Sequence, residues 1–421
     1  MRRLLVTLLV ALSPSALFAQ ITLEQCRTKA REHYPAIQQY VLVEQTRELT
    51  LSNAYSSWLP QILVGAQATW QTAVATFPEM LTNMMKAQGI DIPGIRKDQY
   101  QVSVQVDQAL WDGGQSKAQR ELAEARALEQ SGQVDVDMYA LEGRIDELYF
   151  GILMLDSRIA QSDVMISLLK SNWEQAKTMV RGGVALQSDA DVIEAEILQA
   201  GQSQSSLRSA RDTYRQVLEL FIGEPLPETL ERPSMPSQHV TLRPELALLD
   251  AKIGTLTAQE ELVKTSILPR VSLFAQGWYG YPGLDMFKSM TSADWTWNAI
   301  VGIRMNWNIS ALFTRNNQLQ QISTAKSLAE VQKDLFSFNT RVQSIGLDAD
   351  ISRLQSQAAE DGRISELRRS IRQGAESKYR NGTITATELL KSIADEAAAE
   401  ATAESHSLEL LKTAYESRHN R

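Results

Sequence analysis

Four stretches of this chain alternate apolar and polar side chains with a period of two, the spacing of a β-strand. Ile62, Val64, Ala66, Ala68 and Trp70 alternate with Leu63, Gly65, Gln67, Thr69 and Gln71, and Tyr100, Val102, Val104 and Val106 with Gln101, Ser103, Gln105 and Asp107. Val271, Leu273, Ala275, Gly277 and Tyr279 alternate with Ser272, Phe274, Gln276, Trp278 and Gly280. The last set runs through Trp297, Ala299, Val301, Ile303, Met305 and Trp307. Spans of about ten residues with terminal Trp and Tyr fit barrel strands with aromatic girdles. The same alternation also fits an ordinary half-buried sheet. Elsewhere the period is helical. Met138, Leu141, Ile145, Leu148, Ile152, Leu155 and Ile159 recur at spacings of three and four. The seam continues through Ile166, Leu169, Trp173, Ala176 and Val180, broken at Ser162. Such a seam is the signature of coiled-coil packing. It predicts a helix of roughly 65–70 residues between Gly113-Gly114 and Gly182-Gly183, about 100 Å long at 1.5 Å per residue. A return helix follows to about Phe221, with Leu207, Ala210, Tyr214 and Val217 on its seam. A weaker copy leads up through Ile364, Leu367 and Ile371 to Asn381-Gly382, and down through Leu408, Leu411 and Tyr415.

Two proline landmarks show that this order occurs twice. Pro35 and Pro244 are 209 residues apart, and so are Pro60 in Trp58-Leu59-Pro60 and Pro269 in Ile267-Leu268-Pro269. Each pair brackets 25 residues of helical pattern, with proline suited to the first turn and to the stop. Trp111 and Trp307 are 196 apart, so the first copy holds 13 extra residues, expected in a loop within Phe77 to Asp98. The halves are then residues 20–222 and 244–421. Residues 223–243, rich in proline, read as an extended connector.

One hairpin per copy gives four strands per chain. Four strands cannot close, and open edges are not tolerated in lipid. A membrane barrel must therefore be shared: two chains give eight strands, which side chains fill, and three give twelve, which leave a lumen.

Composition narrows the function classes. Met1-Arg2-Arg3, the apolar run from Leu4 to Leu12, and Leu17-Phe18-Ala19 read as a secretory signal peptide over residues 1–19. No later apolar run approaches 20 residues, so contact with a bilayer falls to β-strands. The formal charge of −8, with no basic cluster, excludes nucleic acid as a partner. The single cysteine, Cys26, cannot form an internal disulfide. His33, His239, His406 and His419 have no metal-ligand spacing, and no nucleophile elbow or phosphate loop is present. The chain is expected to be no enzyme and to hold no catalytic, metal or cofactor site.

The signal peptide, the repeat, the WLP-type strand starts, Ala109-Leu110-Trp111-Asp112-Gly113-Gly114 and the paired glycine turns together resemble TolC-type outer-membrane efflux proteins, over nearly the whole mature chain. The resemblance implies an α+β membrane protein with an internally duplicated TolC-like fold. Four strands per chain would join in a trimeric twelve-stranded β-barrel, continued by a long periplasmic α-helical barrel. It implies an exit duct in the cell outer membrane for a tripartite efflux or type I secretion system, with helices projecting into the periplasm. Its partners would be two further copies, a periplasmic adaptor protein, an inner-membrane pump and outer-membrane lipid.

Site residues carry over by position. Arg181, Gly182, Gly183, Val184 and Ala185, with Arg380, Asn381, Gly382 and Thr383, resemble the adaptor-docking tips. Asp189, Tyr379, Ile384, Glu388 and Lys391 resemble the positions lining the closed periplasmic aperture. Asp189 and Glu388 each follow the tip glycine by six residues. Rings of three at about 10 Å spacing would cost roughly 1–2 kcal/mol per like-charge pair. An acid there is also what a helix N-terminal turn favours by itself. Two positions depart from the family pattern: Ile384 stands for an arginine, and Lys391 for an acid. The competing reading is a structural coiled-coil envelope protein or adhesin, which leaves the alternating strands unexplained.

Overall fold

A computed structural model describes residues 21–90, 92–237 and 243–420. The expected signal peptide and His239 lie outside the described residues. A helix α1 (Leu23–His33) opens on Thr22, whose hydroxyl accepts from the Gln25 amide while the Gln25 side chain accepts from the Thr22 amide. This reciprocal cap satisfies two otherwise orphaned donors. A 3-10 turn at Pro35–Ile37 leads into α2 (Gln38–Ser56). Then follow β1 (Gln61–Trp70), α3 (Glu79–Ala87), β2 (Asp98–Trp111), α4 (Gln115–Arg181) and α5 (Gln187–Ile222). After the connector the series is α6 (Pro244–Thr265), β3 (Arg270–Tyr281), α7 (Met286–Thr291), β4 (Thr296–Asn306), α8 (Ala311–Arg380) and α9 (Ala386–Asn420). From α2 and again from α6, the order is helix, strand, short helix, strand, long helix, shorter helix. Pro60 and Pro269 stand where helix gives way to strand, because proline cannot continue the ladder of a helix. The 13-residue excess of the first copy falls between β1 and β2, where a short helix, α3, stands in the expected loop as α7 does in the second copy.

Two compact units form. One combines the described residues of Met1–Tyr40, Gln133–Ala247 and Asp334–Arg421, the other Val41–Gly132 and Leu248–Lys333. Each unit draws on both halves of the chain, so compaction cuts across the sequence repeat.

The helical unit has two cores. In the first, Met138, Leu141, Ile145 and Ile152 of the α4 seam meet Cys26 and Ala30 of α1, Leu218 and Ile222 of α5, and Leu411 and Tyr415 of α9. Tyr149 and Phe150 are also fully buried there. Among these groups lies a buried ion pair, in which Arg27 donates to both carboxylate oxygens of Asp146 at 2.7 and 2.5 Å. Residues 223–237 of the connector run extended along this core, tied by an Ile21–Leu230 bridge and by Arg215 donating to the Leu226 and Pro227 carbonyls. The second core gathers Leu169 and Ala176 of α4, Ala190 and Ile193 of α5, Tyr379 of α8, and Ala386, Leu389 and Ile393 of α9.

The other unit carries an antiparallel sheet in the order β1-β2-β3-β4. Its register puts like with like. Ile62 faces Val106, Val64 faces Val104, and Ala66 faces Val102. Val102 in turn faces Tyr279, while Leu273 faces Ile303 and Tyr279 faces Trp297. All four alternating apolar sets therefore share one face, since a period of two keeps i and i+2 on the same side.

Candidate functional site

The two helix-hairpin turns are built from the same hydrogen bonds. At the first, Gly183 N donates to Val180 O (3.0 Å) and Val184 N to Met179 O (2.9 Å). At the second, Gly382 N donates to Tyr379 O (2.9 Å) and Thr383 N to Lys378 O (3.0 Å). Both are Schellman ends, whose C′ residue must adopt a left-handed conformation. Gly183 and Gly382 do so, at φ +75° and +69°. A Cβ at either would touch nothing within 4 Å, so backbone conformation alone demands glycine there. Gly182 and Asn381, one residue earlier, are the equivalent pair and have ordinary φ. Arg181, Val184, Arg380 and Thr383 complete the exposed rims of the turns, with Ala185 half-buried.

The two acids sit at equivalent places and both cap helices. Asp189 Oδ2 accepts from the Leu186 amide at 3.1 Å. Glu388 Oε2 accepts from the Thr385 amide at 3.0 Å, and the Thr385 hydroxyl accepts from the Glu388 amide at 3.3 Å. Each carboxylate satisfies an orphaned donor and complements the positive helix end. Tyr379 is 4% exposed within the second core, and its buried hydroxyl has no hydrogen-bond partner among the described residues. Burial, and then the Asp189 charge, push its phenol above the ordinary value. Ile384 packs half-buried against the same core, and Lys391 is exposed. The structure thus brings Tyr379 and Ile384 together in one core and leaves Glu388 and Lys391 on the surface of α9.

Sequence reasoning missed an ionic ladder between α8 and α9. Arg372 pairs with Glu376 at 2.7 Å and with Glu396. Arg369 reaches Glu396 at 3.4 Å and Glu400 at 2.6 Å, and Arg368 reaches Asp395 at 2.9 Å. Glu396 is 7% exposed, so the centre of the ladder is desolvated. Its sequence signal was the opposition of a basic run before the turn to an acidic run after it.

The sheet has chemically opposite faces. The apolar face carries no charged residue from Ile62 to Trp70, from Tyr100 to Val106, from Val271 to Tyr281, or from Trp297 to Met305, and its first charge is Asp98, opposite Trp70 at the loop end. It is nevertheless open, with Ile62, Val64 and Val301 each 69% exposed and Ile303 70%. The other face presents Gln67, Gln101, Gln105, Gln276 and Asn298, interspersed with Leu63, Phe274, Trp278 and Ile300. Its central ion pair is Arg304 with Asp107 at 3.7 Å, and the Arg304 guanidinium lies 4.4 Å from the ring centre of Phe274. Tyr100, Tyr279, Trp295 and Trp297 cluster at the hairpin-loop end of the strands. Trp111 and Trp307 stand at the opposite end. Among the described residues, the edge strands β1 and β4 have no outer partner.

No protein-family model and no curated protein sequence matches the chain. Solved structures do. The outer-membrane channel OprN superposes with a TM-score of 0.70 at 16% identity, over 96% of this chain and 91% of OprN. The outer membrane protein VceC of Vibrio cholerae gives 0.67 at 14% identity, over 94% of this chain and 96% of VceC. The MtrE outer membrane channel of Neisseria gonorrhoeae, in its open state, gives 0.67 at 16% identity, over 96% of this chain and 89% of MtrE.

Proposed function

We propose that this chain, which has the fold of the TolC-type outer-membrane channels, is one third of an outer-membrane exit duct serving a tripartite efflux or type I secretion system. The four-stranded sheet carries this reading. A charge-free apolar face that stays exposed suits lipid, and edge strands left unpaired in hydrocarbon each cost several kcal/mol per group. Pairing β4 of one copy with β1 of the next removes the edges, and three copies give a twelve-stranded barrel lined by the amide-rich face. A second feature supports self-association. Along α8, Leu335, Phe338, Val342 and Ile345 recur at spacings of three and four, yet are 53–66% exposed. A heptad stripe of this kind fits a neighbouring helix.

In this reading the duct is passive, and energy comes from an inner-membrane pump reached through a periplasmic adaptor that docks on the turns at 181–185 and 380–383. Asp189, Tyr379, Ile384, Glu388 and Lys391 surround the periplasmic aperture. The capping bonds of Asp189 and Glu388 fix those acids at the helix starts, so opening would move whole hairpins rather than side chains. The mass of the detergent-purified protein tests the assembly: a three-fold mass is expected, and a stable monomer refutes it. Gly182→Trp with Asn381→Trp, both outside the left-handed positions, is expected to leave the trimer intact while abolishing adaptor cross-linking and export. Unchanged export would remove the docking role of the turns.

A further inference from the structure

The loops at the hairpin end of the sheet form a body with an uncovered apolar surface. Arg96 N donates to the Tyr281 hydroxyl (2.9 Å), which donates to the Ser289 carbonyl (2.9 Å), and Gly94 N donates to the Met290 carbonyl (3.1 Å). These bonds tie the β1–β2 loop to the β3–β4 loop over a small core of Ile95, Tyr281 and Met290. Loops fastened in this way could bury their large apolar side chains, and these do not. On α3, Met80 is 80% and Met84 60% exposed, and on α7 Phe287 is 72% exposed. Met80, Leu81, Met84 and Met85 share one flank of α3, while Thr82, Asn83 and Lys86 occupy the others. The rings of Phe77 and Phe287 lie 6.0 Å apart and join the two helices into one patch.

The position of this body identifies what covers it. Tyr281 continues the parity of Gly277 and Tyr279, so the loop core sits on the charge-free side of the sheet. Trp295 stacks on Tyr100 at 6.4 Å and lies 5.3 Å from Tyr279, forming an aromatic belt where the strands end. Aromatic belts mark the boundary between acyl chains and headgroups. Lys86 on α3 and Lys288 on α7 have no ion pair among the described residues, and Glu79 and Asp285 stand at the starts of the same helices. Lys97 lies 5.9 Å from the ring centre of Trp70. An apolar flank with cations beside it, just past an aromatic belt, has the chemistry of an interfacial amphipathic helix.

We infer that α3 and α7 form an interfacial foot lying in the headgroup layer of the membrane that the sheet spans, with Met80, Met84 and Phe287 reaching into the acyl region and the lysines meeting anionic headgroups. The inference rests on the proposed membrane role of the sheet. The full chain offers a clean background for the test, because its single thiol, Cys26, is fully buried and its pKa is pushed up to about 12 by burial. Met84→Cys, Phe287→Cys, Asn83→Cys and Val301→Cys are each labelled with an environment-sensitive fluorophore and reconstituted in vesicles of phosphatidylcholine and phosphatidylglycerol. Lipids brominated near the headgroup end of the chain are expected to quench positions 84 and 287 about two-fold or more. Aqueous iodide is expected to quench position 83 instead, and mid-chain bromine to quench position 301. Quenching at 301 with none at 84 and 287 overturns the foot and leaves the duct standing. No lipid quenching at any position overturns both. Efficient disulfide formation between Met84→Cys chains assigns the patch to a neighbouring copy, which also overturns the foot.

Discussion

A buried ion pair and a half-buried imidazole in the helical unit carry sharp consequences. Arg27 and Asp146 hold each other through two hydrogen bonds in a dry core, where burial pulls the carboxyl pKa up and the guanidinium opposes it. Asp146→Asn leaves the guanidinium uncompensated and is expected to cost about 3–5 kcal/mol, whereas Arg27→Met with Asp146→Leu is expected to be near neutral. Thermal unfolding followed by circular dichroism distinguishes the two. His419 stacks on Tyr139 with ring centres 3.8 Å apart, facing Arg243, Arg27 and Glu245. Burial, then Arg243 and Arg27, bring its pKa down to about 4. The unfolded imidazole, near 6.5, takes a proton that the folded one refuses, so stability is full above about pH 6.5 and falls as pH drops toward 4. Solvent reaching the half-buried ring trims the loss to on the order of 2 kcal/mol. His419→Phe keeps the stacking and is expected to remove this part of the pH slope, read as the difference between the two unfolding curves. Neither group stood out in the sequence, because Arg27 and Asp146 meet only through the packing of α1 on α4.

At the scale of elements, periodicity read well where one neighbour covers one stripe. Met138, Leu141, Ile145, Ile152, Ile159, Leu169 and Ala176 of the α4 heptad seam are buried, while Leu148, Leu155, Ile166, Trp173 and Val180 are half-buried. The pattern failed where neighbours arrive from another side. Tyr149 and Phe150 lie off the seam yet are fully buried, since α1 and the end of α9 close over them. Toward the end of α5 the buried residues are Leu218 and Ile222, whereas Tyr214 and Val217 of the expected seam are 38% and 37% exposed. Ile364, Leu367 and Ile371 are 45–55% exposed, so the weaker seam of α8 finds no cover within its own chain. The stripe from Leu335 to Ile345 behaves alike. Phe338→Ser with Val342→Ser is expected to lower the fraction of trimer in detergent while leaving helix content unchanged. A full trimer fraction in that variant would remove the stripe from the interface.

At the scale of the molecule, the proposed duct would take its ion preference from the polar face of the sheet. This face mixes amides, small polar residues and a few large apolar ones, and Arg304 answers Asp107 across Phe274. In the proposed trimer three such pairs would offset each other in charge, and Arg270 on the same face would add a cation. Arg304→Gln leaves Asp107 alone, and the reversal potential of single channels in a salt gradient is expected to move toward cation selectivity. Asp107→Asn is expected to move it the opposite way, and equal potentials in both variants would place this face outside the conduction path.

The sequence by itself determined the local geometry of this protein: the period-two runs that became strands, the prolines between helix and strand, and the glycines at the two turns. Each follows from a few neighbouring residues, because chain stereochemistry sets period and turn within a handful of bonds. Only the tertiary structure decided partners. It joined β2 to β3 across the repeat, drew Arg27 to Asp146, and folded the first hairpin loop onto the second. Those outcomes depend on which of many complementary faces meet at long range, and period alone does not name the partner of a face.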